Sequence, residues 1–459
     1  MQYISTRGKA PTVDFRGAML AGLASDGGLY VPETLPSFSP AEISAMAELS
    51  YQKLALKLLS PFVGDSFTEA QLSAAIDKAY GSFRHTAIAP LIQIAPQHFL
   101  LELFHGPTLA FKDFALQLLG HLMDEALKDS HERAVVLGAT SGDTGSAAIA
   151  GCRGRQNLDI VILYPKGRTS AVQRRQMTTT GEANVHAMEV DGTFDDCQDL
   201  VKALFADAEL RAQKKLLAVN SINWVRVLAQ VVYYFYAALR LGAPSSPINF
   251  CVPTGNFGDI FAGYVAQQMG LPMGKLIIAT NSNDILTRAV QTGSYDQRGV
   301  HASLSPSMDI QIASNFERLL FDLYGRDGGR LSQLIADFRA TRSLTLSPAA
   351  QADFTRQFAA HAVDDDQTLA TIQRVYDTTG YLLDPHSAVG VTSAEAIAAL
   401  GITVTLATAH PAKFPEAVVQ ATGLHPELPP HMADLFDKDE RMQPLSNDAA
   451  VLKNYVLSL

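Results

Sequence analysis

Cysteine is scarce in this chain: three in 459 residues, Cys152, Cys197 and Cys251, widely spaced and without a CxxC pair. That excludes a disulfide framework and a cysteine zinc site, and it points to a reducing compartment. Charged residues make up only 18% of the chain, and basic ones are outnumbered 36 to 46, for a net charge of −10. A surface built to neutralise nucleic-acid phosphates needs the opposite balance. Nucleic acid is therefore not an expected partner, although a small local anion site is compatible with this composition. No fixed-period repeat or low-complexity tract is visible, and Met1 to Arg7 holds no apolar signal region. The longest apolar stretch, Trp224 to Leu241, is broken by Arg226, Gln230 and Arg240. That spacing suits an amphipathic helix and not a membrane span. The expectation is a soluble cytoplasmic protein with no membrane partner.

What is present is material for a large core: 47% of the residues are hydrophobic, and the length suits about three domains. Residues 1–92 carry the turn Asp26-Gly27-Gly28 and then helical spacings such as Tyr51, Leu54, Ala55 and Leu58. They read as a mostly helical N-terminal domain without a catalytic group. From residue 97 the pattern changes to short apolar runs followed by glycine-rich turns. Strands are expected at Phe99–Phe104, Ala134–Leu137, Ile160–Leu163, Val185–Val190, Leu216–Val219, Ile248–Val252, Leu276–Ala279 and Val404–Ala407. All but the last are followed by a helix-like run. Such alternation implies βαβ units and parallel sheets. Their number exceeds one compact sheet, so two α/β domains sharing a cleft are expected. The polar segment 325–370 reads as an excursion with no assigned place. The run Asp364-Asp365-Asp366 reads as a helix start with solvated charges, not as a metal site.

Four segments carry chemistry. In Phe104–Phe114, Lys112 lies between Phe111 and Phe114 just beyond the turn Gly106-Pro107. Apolar neighbours depress an ammonium pKa, which suits a nucleophile, a base or a Schiff-base former; a lysine snorkelling at a helix start fits the same window. Gly138–Ser146 and Val252–Asp259 each join a strand to a helix through small or glycine residues that leave backbone N–H groups for an anion. Each is also compatible with an ordinary capped turn. Neither matches the dinucleotide or P-loop fingerprint. The fourth segment, Thr405–Pro411, places a hydroxyl at a strand end, and Leu382–Ser387 is a turn with two ionisable groups and no forced reading.

Taken together, Phe104–Phe114, Thr140–Ser146, Pro253–Asp259 and Ala407–Lys413 resemble the threonine synthases, pyridoxal-phosphate enzymes of fold type II. Gly27-Gly28-Leu29-Tyr30-Val31-Pro32 is similar to the N-terminal domain of the longer bacterial and fungal form. The resemblance runs from near residue 1 to about residue 415. It implies an N-terminal helical domain (1–92), a large cofactor-binding α/β domain (93–130 and 222–459) and a smaller α/β domain (131–221). It also implies the conversion of O-phospho-L-homoserine and water to L-threonine and phosphate, the last step of threonine biosynthesis. Lys112 would hold pyridoxal 5'-phosphate as a Schiff base and then act as general acid and base. Gly255, Asn256, Phe257, Gly258 and Asp259 would cradle the cofactor phosphate, and Thr408 would face the ring nitrogen. Ser141 and Thr144 would bind the substrate carboxylate or phosphate. Arg168 is the candidate phosphate clamp, and a surface arginine at a helix start fits it equally. Asp143 stands where many members of the fold type carry asparagine. Two other readings stay open: another fold-type-II lyase acting on a substituted or phosphorylated amino acid, and a non-catalytic protein that binds the cofactor or amino acids.

Overall fold

The computed structural model describes residues 1–130 and 132–459. The N-terminal unit pairs Tyr3–Ser5 antiparallel with Tyr30–Pro32 and packs the helices Phe15–Ala21, Pro40–Ala45, Tyr51–Val63 and Glu69–Tyr80 beside them. Ser39 and Thr68 open two of these helices with capping boxes. Leu54, Ala55, Leu58, Leu59 and Phe62 form the buried face of the third, at the spacing the sequence shows.

Arg318 ties this unit to the rest of the molecule. It is fully buried and donates to the carbonyls of Tyr30 (2.9 Å) and Ile222 (2.6 Å) and to Asn315 Oδ1. Arg318→Ala strands those acceptors in a dry interior. It is expected to cost about 3 kcal/mol or more, read as a lower urea midpoint; a loss under about 1 kcal/mol would contradict this account.

The two sheets have the predicted parallel character. One is six-stranded, in the order 358–362, 273–280, 248–253, 403–407, 98–102, 91–95, parallel throughout except for the antiparallel edge strand Leu91–Ala95. The other is five-stranded and wholly parallel, in the order 443–445, 185–190, 158–165, 134–139, 215–217. Strands 158–165 and 403–407 are buried at every residue. That is why 158–165 reads as a nearly continuous apolar run, broken only by Asp159, and not as an alternating one.

The structure departs from the sequence reading in four places. The C-terminal strand Gln443–Leu445 pairs with Val185–Val190, and the helix Ala449–Ser458 covers that sheet. The end of the segment 222–459 therefore belongs to the smaller unit. Trp224–Arg240 has the expected amphipathic spacing but is not a surface helix. It is buried from Trp224 to Leu239, because helices on several sides enclose it. Strand 403–407 is followed by a helix after all, Pro415–Thr422, with prolines at the first positions of both it and the preceding turn Pro411–Lys413. The segment 325–370 resolves into helices Gly328–Thr341 and Pro348–Gln357 and a sheet strand, Phe358–Ala362, whose alanines gave no strand signal. Asp364 caps the helix Asp365–Thr379, as the acidic run suggested. Among the described residues no helix is long and apolar enough to cross a membrane.

Candidate functional site

Lys112 opens the helix Lys112–Ser130 at the C-terminal end of the strand His98–Glu102. The connecting loop is stitched to the end of the neighbouring strand. Phe111 N–H donates to the Thr408 carbonyl (2.9 Å), and His410 N–H donates to the Leu109 carbonyl (3.0 Å). Leu109 is held in the left-handed region at φ +61°, fully packed. That conformation costs a side-chain-bearing residue about 1–2 kcal/mol, and it appears where a surrounding scaffold fixes a loop for function. A Cβ at Gly106 would lie 2.5 Å from that of Asp113. Only glycine lets the turn close over the Asp113 carboxylate, which accepts from Thr108 N–H (2.8 Å) and Oγ1 (2.7 Å).

The Lys112 side chain is 12% exposed. Its Nζ stands 3.4 Å from Ser307 Oγ and 3.7 Å from Asp143 Oδ2. Burial pushes its pKa down to about 8, and the positive charges of Lys413 and Arg226 reinforce this while Asp143 opposes it. The amine that the sequence singled out is therefore neither in bulk water nor an ordinary lysine at neutral pH.

Asp143 begins the helix Asp143–Cys152 on the five-stranded sheet. Its Oδ1 receives Lys413 Nζ (2.8 Å) and Gln173 Nε2 (2.9 Å), and its Oδ2 faces Lys112 and Ser307 Oγ (3.4 Å). Burial alone would raise this carboxyl. Lys413 and Lys112 outweigh that effect and hold it well below the usual carboxylate range. In the same loop Thr140 Oγ1 accepts from Gly142 N–H (2.9 Å) and Gly145 N–H (2.8 Å). The hydroxyls of Ser141 and Thr144 are left without a hydrogen bond among the described residues. Two unspent hydroxyls at a helix N-terminus suit an anion.

The second loop lies across Ser307 from Lys112. A Cβ on Gly255 would stand 2.9 Å from the Ser307 carbonyl and 3.2 Å from Met308 Cα, so this close approach needs glycine. Phe257 adopts φ +63° and packs its ring against Phe316 and Phe358. The amides of Gly255, Asn256 and Phe257 donate no hydrogen bond within the described chain, and the helix Gly258–Gln268 starts immediately after them. This is the arrangement a phosphate cradle requires. Asp259 differs from its neighbours. Its carboxylate accepts from Tyr233 OH (2.5 Å) and Tyr234 OH (2.9 Å) in the helix interface, and burial raises its pKa to about 6. Its side chain is committed to the fold, so only its backbone is free to serve an anion.

Thr408 follows the strand Thr403–Ala407. Its N–H donates to Ser387 Oγ (3.1 Å), and its hydroxyl makes no hydrogen bond among the described residues. The turn Leu382–Ser387, which carried no forced reading, now has a role. Asp384 caps the helix Pro385–Ile397 and bonds Ser387 Oγ and His386 Nδ1. His386 Nε2 in turn accepts from Ser307 N–H (3.3 Å). The turn therefore supports both Thr408 and Ser307.

The structure thus brings together Lys112, the 140–146 loop, the 255–259 loop and Thr408. Arg168 is exposed and makes no ion pair or side-chain hydrogen bond among the described residues. It follows strand 158–165 on the sheet edge that also carries Ser141. Sequence reasoning missed Ser307, Lys413 and Arg226. Arg226 is 5% exposed, makes one long bond to the Val219 carbonyl (3.3 Å) and leaves its Nε unpartnered. A guanidinium with no carboxylate, close enough to Lys112 to depress its pKa, is suited to pair with an anion. The available signal was a lone arginine in the first turn of an otherwise apolar helix.

Family models match along the chain: "Threonine synthase N terminus" over residues 2–80, "Pyridoxal-phosphate dependent enzyme" over 84–344 and "Threonine synthase, C-terminal" over 387–456. The threonine synthase of Pseudomonas aeruginosa is 54% identical, covering 99% of this chain and 98% of that protein. The crystal structure of pyridoxal-phosphate-bound threonine synthase from Brucella melitensis superposes with a TM-score of 0.98 at 52% identity, covering 100% of this chain and 99% of that one. The yeast enzyme superposes at 0.95 with 39% identity, covering 99% and 98%. With similarity of this extent over its whole length, and with a buried lysine between two anion-ready loops, the chain belongs to the threonine synthase family of pyridoxal-phosphate-dependent enzymes.

Proposed function

We propose that the chain binds pyridoxal 5'-phosphate at this site and converts O-phospho-L-homoserine and water to L-threonine and inorganic phosphate. The observation that carries the reading is Lys112 Nζ, dry and bordered by Asp143 and Ser307, with unspent N–H and O–H groups on both sides. When bound, the cofactor supplies an electron sink that acidifies the hydrogens of an attached amino acid.

The chain's own groups do the rest. Lys112 would hold the cofactor aldehyde, and its Nζ would move the α-proton of the substrate. The amides of residues 255–258 would hold the cofactor phosphate, and the Thr408 hydroxyl would face the ring nitrogen. A neutral partner there leaves that nitrogen less protonated than a carboxylate would, so proton transfer rests on Lys112. Ser141 and Thr144 bind the substrate carboxylate. Arg226, with its charge unmatched, takes the substrate phosphate, which leaves from the γ-carbon as a β-proton is lost; a proton then returns to the γ-carbon and water adds at the β-carbon. Arg168 stays a rim position.

The test is to incubate the protein with O-phospho-L-homoserine and follow phosphate and threonine together. Equimolar release of both is expected. Phosphate without threonine would mean a different lyase. Neither product, with no spectral response to a panel of amino acids, would mean a binding protein.

A further inference from the structure

Lys413 is a fully buried charged group beside the site, and the reading above gives it no role. It lies in the turn Pro411–Lys413 after the strand Thr403–Ala407 and is 0% exposed. Its Nζ donates to Asp143 Oδ1 (2.8 Å) and to the Thr108 carbonyl (2.7 Å). Asp143 sits on the five-stranded sheet unit, and Lys413 and Thr108 sit on the six-stranded one, so the pair spans the cleft. The result is a row of cation, anion and cation: Lys413, Asp143, Lys112. The two lysines use different oxygens of one carboxylate, and Lys413 is the nearer by almost an ångström.

We infer that Lys413 is a positioning residue: it is the permanent counter-ion of Asp143, and so frees Lys112 to gain and lose its proton without dragging the charge of Asp143 with it. A buried carboxylate with one cationic partner holds that partner's proton tightly, since each stabilises the other's charge. Were Lys112 the only partner, deprotonating it would leave Asp143 alone in a dry site, so the amine would stay charged and useless as a base. With Lys413 bonded to the other oxygen, Asp143 remains paired whatever state Lys112 is in. The other charged groups facing Lys112 do not substitute for this. Arg226, from the helix Trp224–Arg240, carries no carboxylate partner. His386, from the helix Pro385–Ile397, reaches it only through Ser307 and is itself bonded to Asp384. Asp113, next along the same helix, is occupied by Thr108.

This inference rests on Lys112 being the base. Its test does not depend on threonine formation. The full-length chain, freed of cofactor, is treated with trinitrobenzenesulfonate across a pH series, and modification of Lys112 is followed by mass spectrometry, with exposed Lys166 as internal standard. The wild-type midpoint is expected near 8. In Lys413→Met it is expected to rise by a unit or more, so that labelling at pH 7 slows at least about tenfold. Lys413→Arg keeps the charge and restores the wild-type profile. In Asp143→Asn the midpoint falls, because Lys413 then repels Lys112 with no carboxylate between them. If Lys413→Met does not fold, Lys413→Gln, which keeps a donor for the Thr108 carbonyl but no charge, carries the test with the same expected rise. An unmoved midpoint in whichever of these two variants folds overturns the inference, even if threonine is still made.

Discussion

Lys112→Ala is expected to abolish threonine formation, with a loss of at least about 10³-fold, and to remove the visible absorbance of bound pyridoxal phosphate. Two separate duties end together, the covalent hold on the cofactor and the proton transfer at the α-carbon, so the loss exceeds that of a typical acid–base group. The fold should not suffer. Lys112 Nζ makes only long contacts, 3.4 Å to Ser307 and 3.7 Å to Asp143, and Asp143 keeps Lys413 and Gln173 as close partners. Unfolding stability should therefore stay within about 1 kcal/mol of the parent. Lys112→Arg is the sharper control. A guanidinium keeps the positive charge beside Asp143 but neither forms an imine nor gives up its proton near neutrality. If charge alone mattered, Lys112→Arg would retain activity; the expectation is that it is as inactive as the alanine variant. Threonine formation at parental rates in either variant would show that some other amine carries the chemistry.

The parts of this site that could be read from the sequence are those whose meaning is local. Lys112 follows a Gly-Pro turn within one window, and the loops after strands 134–139 and 248–253 announce themselves as small residues between an apolar run and a helix. Buried parallel strands are continuous apolar runs, so the sheets were legible too. What was not legible depends on distant segments meeting. Ser307 touches Lys112 across 195 residues, in a stretch with no motif of its own. Lys413 gains meaning only because Asp143 is folded against it from the other sheet. Gln443-Pro444-Leu445 is too short, and carries a proline, to declare itself a strand, so its place in the smaller sheet could not be foreseen. Trp224–Arg240 looked amphipathic because Arg226 and Gln230 interrupt it. In the fold they are polar groups inside a buried helix.

Arg226→Met should separate function from stability with opposite signs. A buried charge with a single 3.3 Å bond and an unpartnered Nε is a burden on the ligand-free fold. Arg318, equally buried, shows the contrast: its guanidinium is filled by two carbonyls and a side-chain amide oxygen, so removing it strands partners, whereas removing Arg226 strands almost nothing. Methionine has similar reach and no charge. The ligand-free variant is therefore expected to be more stable by about 1–2 kcal/mol, as is usual when an unmatched buried charge becomes an apolar side chain. Substrate binding should move the other way. Losing a desolvated guanidinium opposite a phosphate dianion costs about 3 kcal/mol, roughly a hundredfold in KM for O-phospho-L-homoserine, and inhibition by inorganic phosphate should weaken in step. Affinity for pyridoxal phosphate should change little if residues 255–258 hold its phosphate. A stabilised fold with a weakened substrate site marks Arg226 as a residue kept for binding at the expense of stability. If the variant instead loses stability and keeps its KM, Arg226 is a structural arginine and the substrate phosphate is held elsewhere, with Arg168 the next position to test.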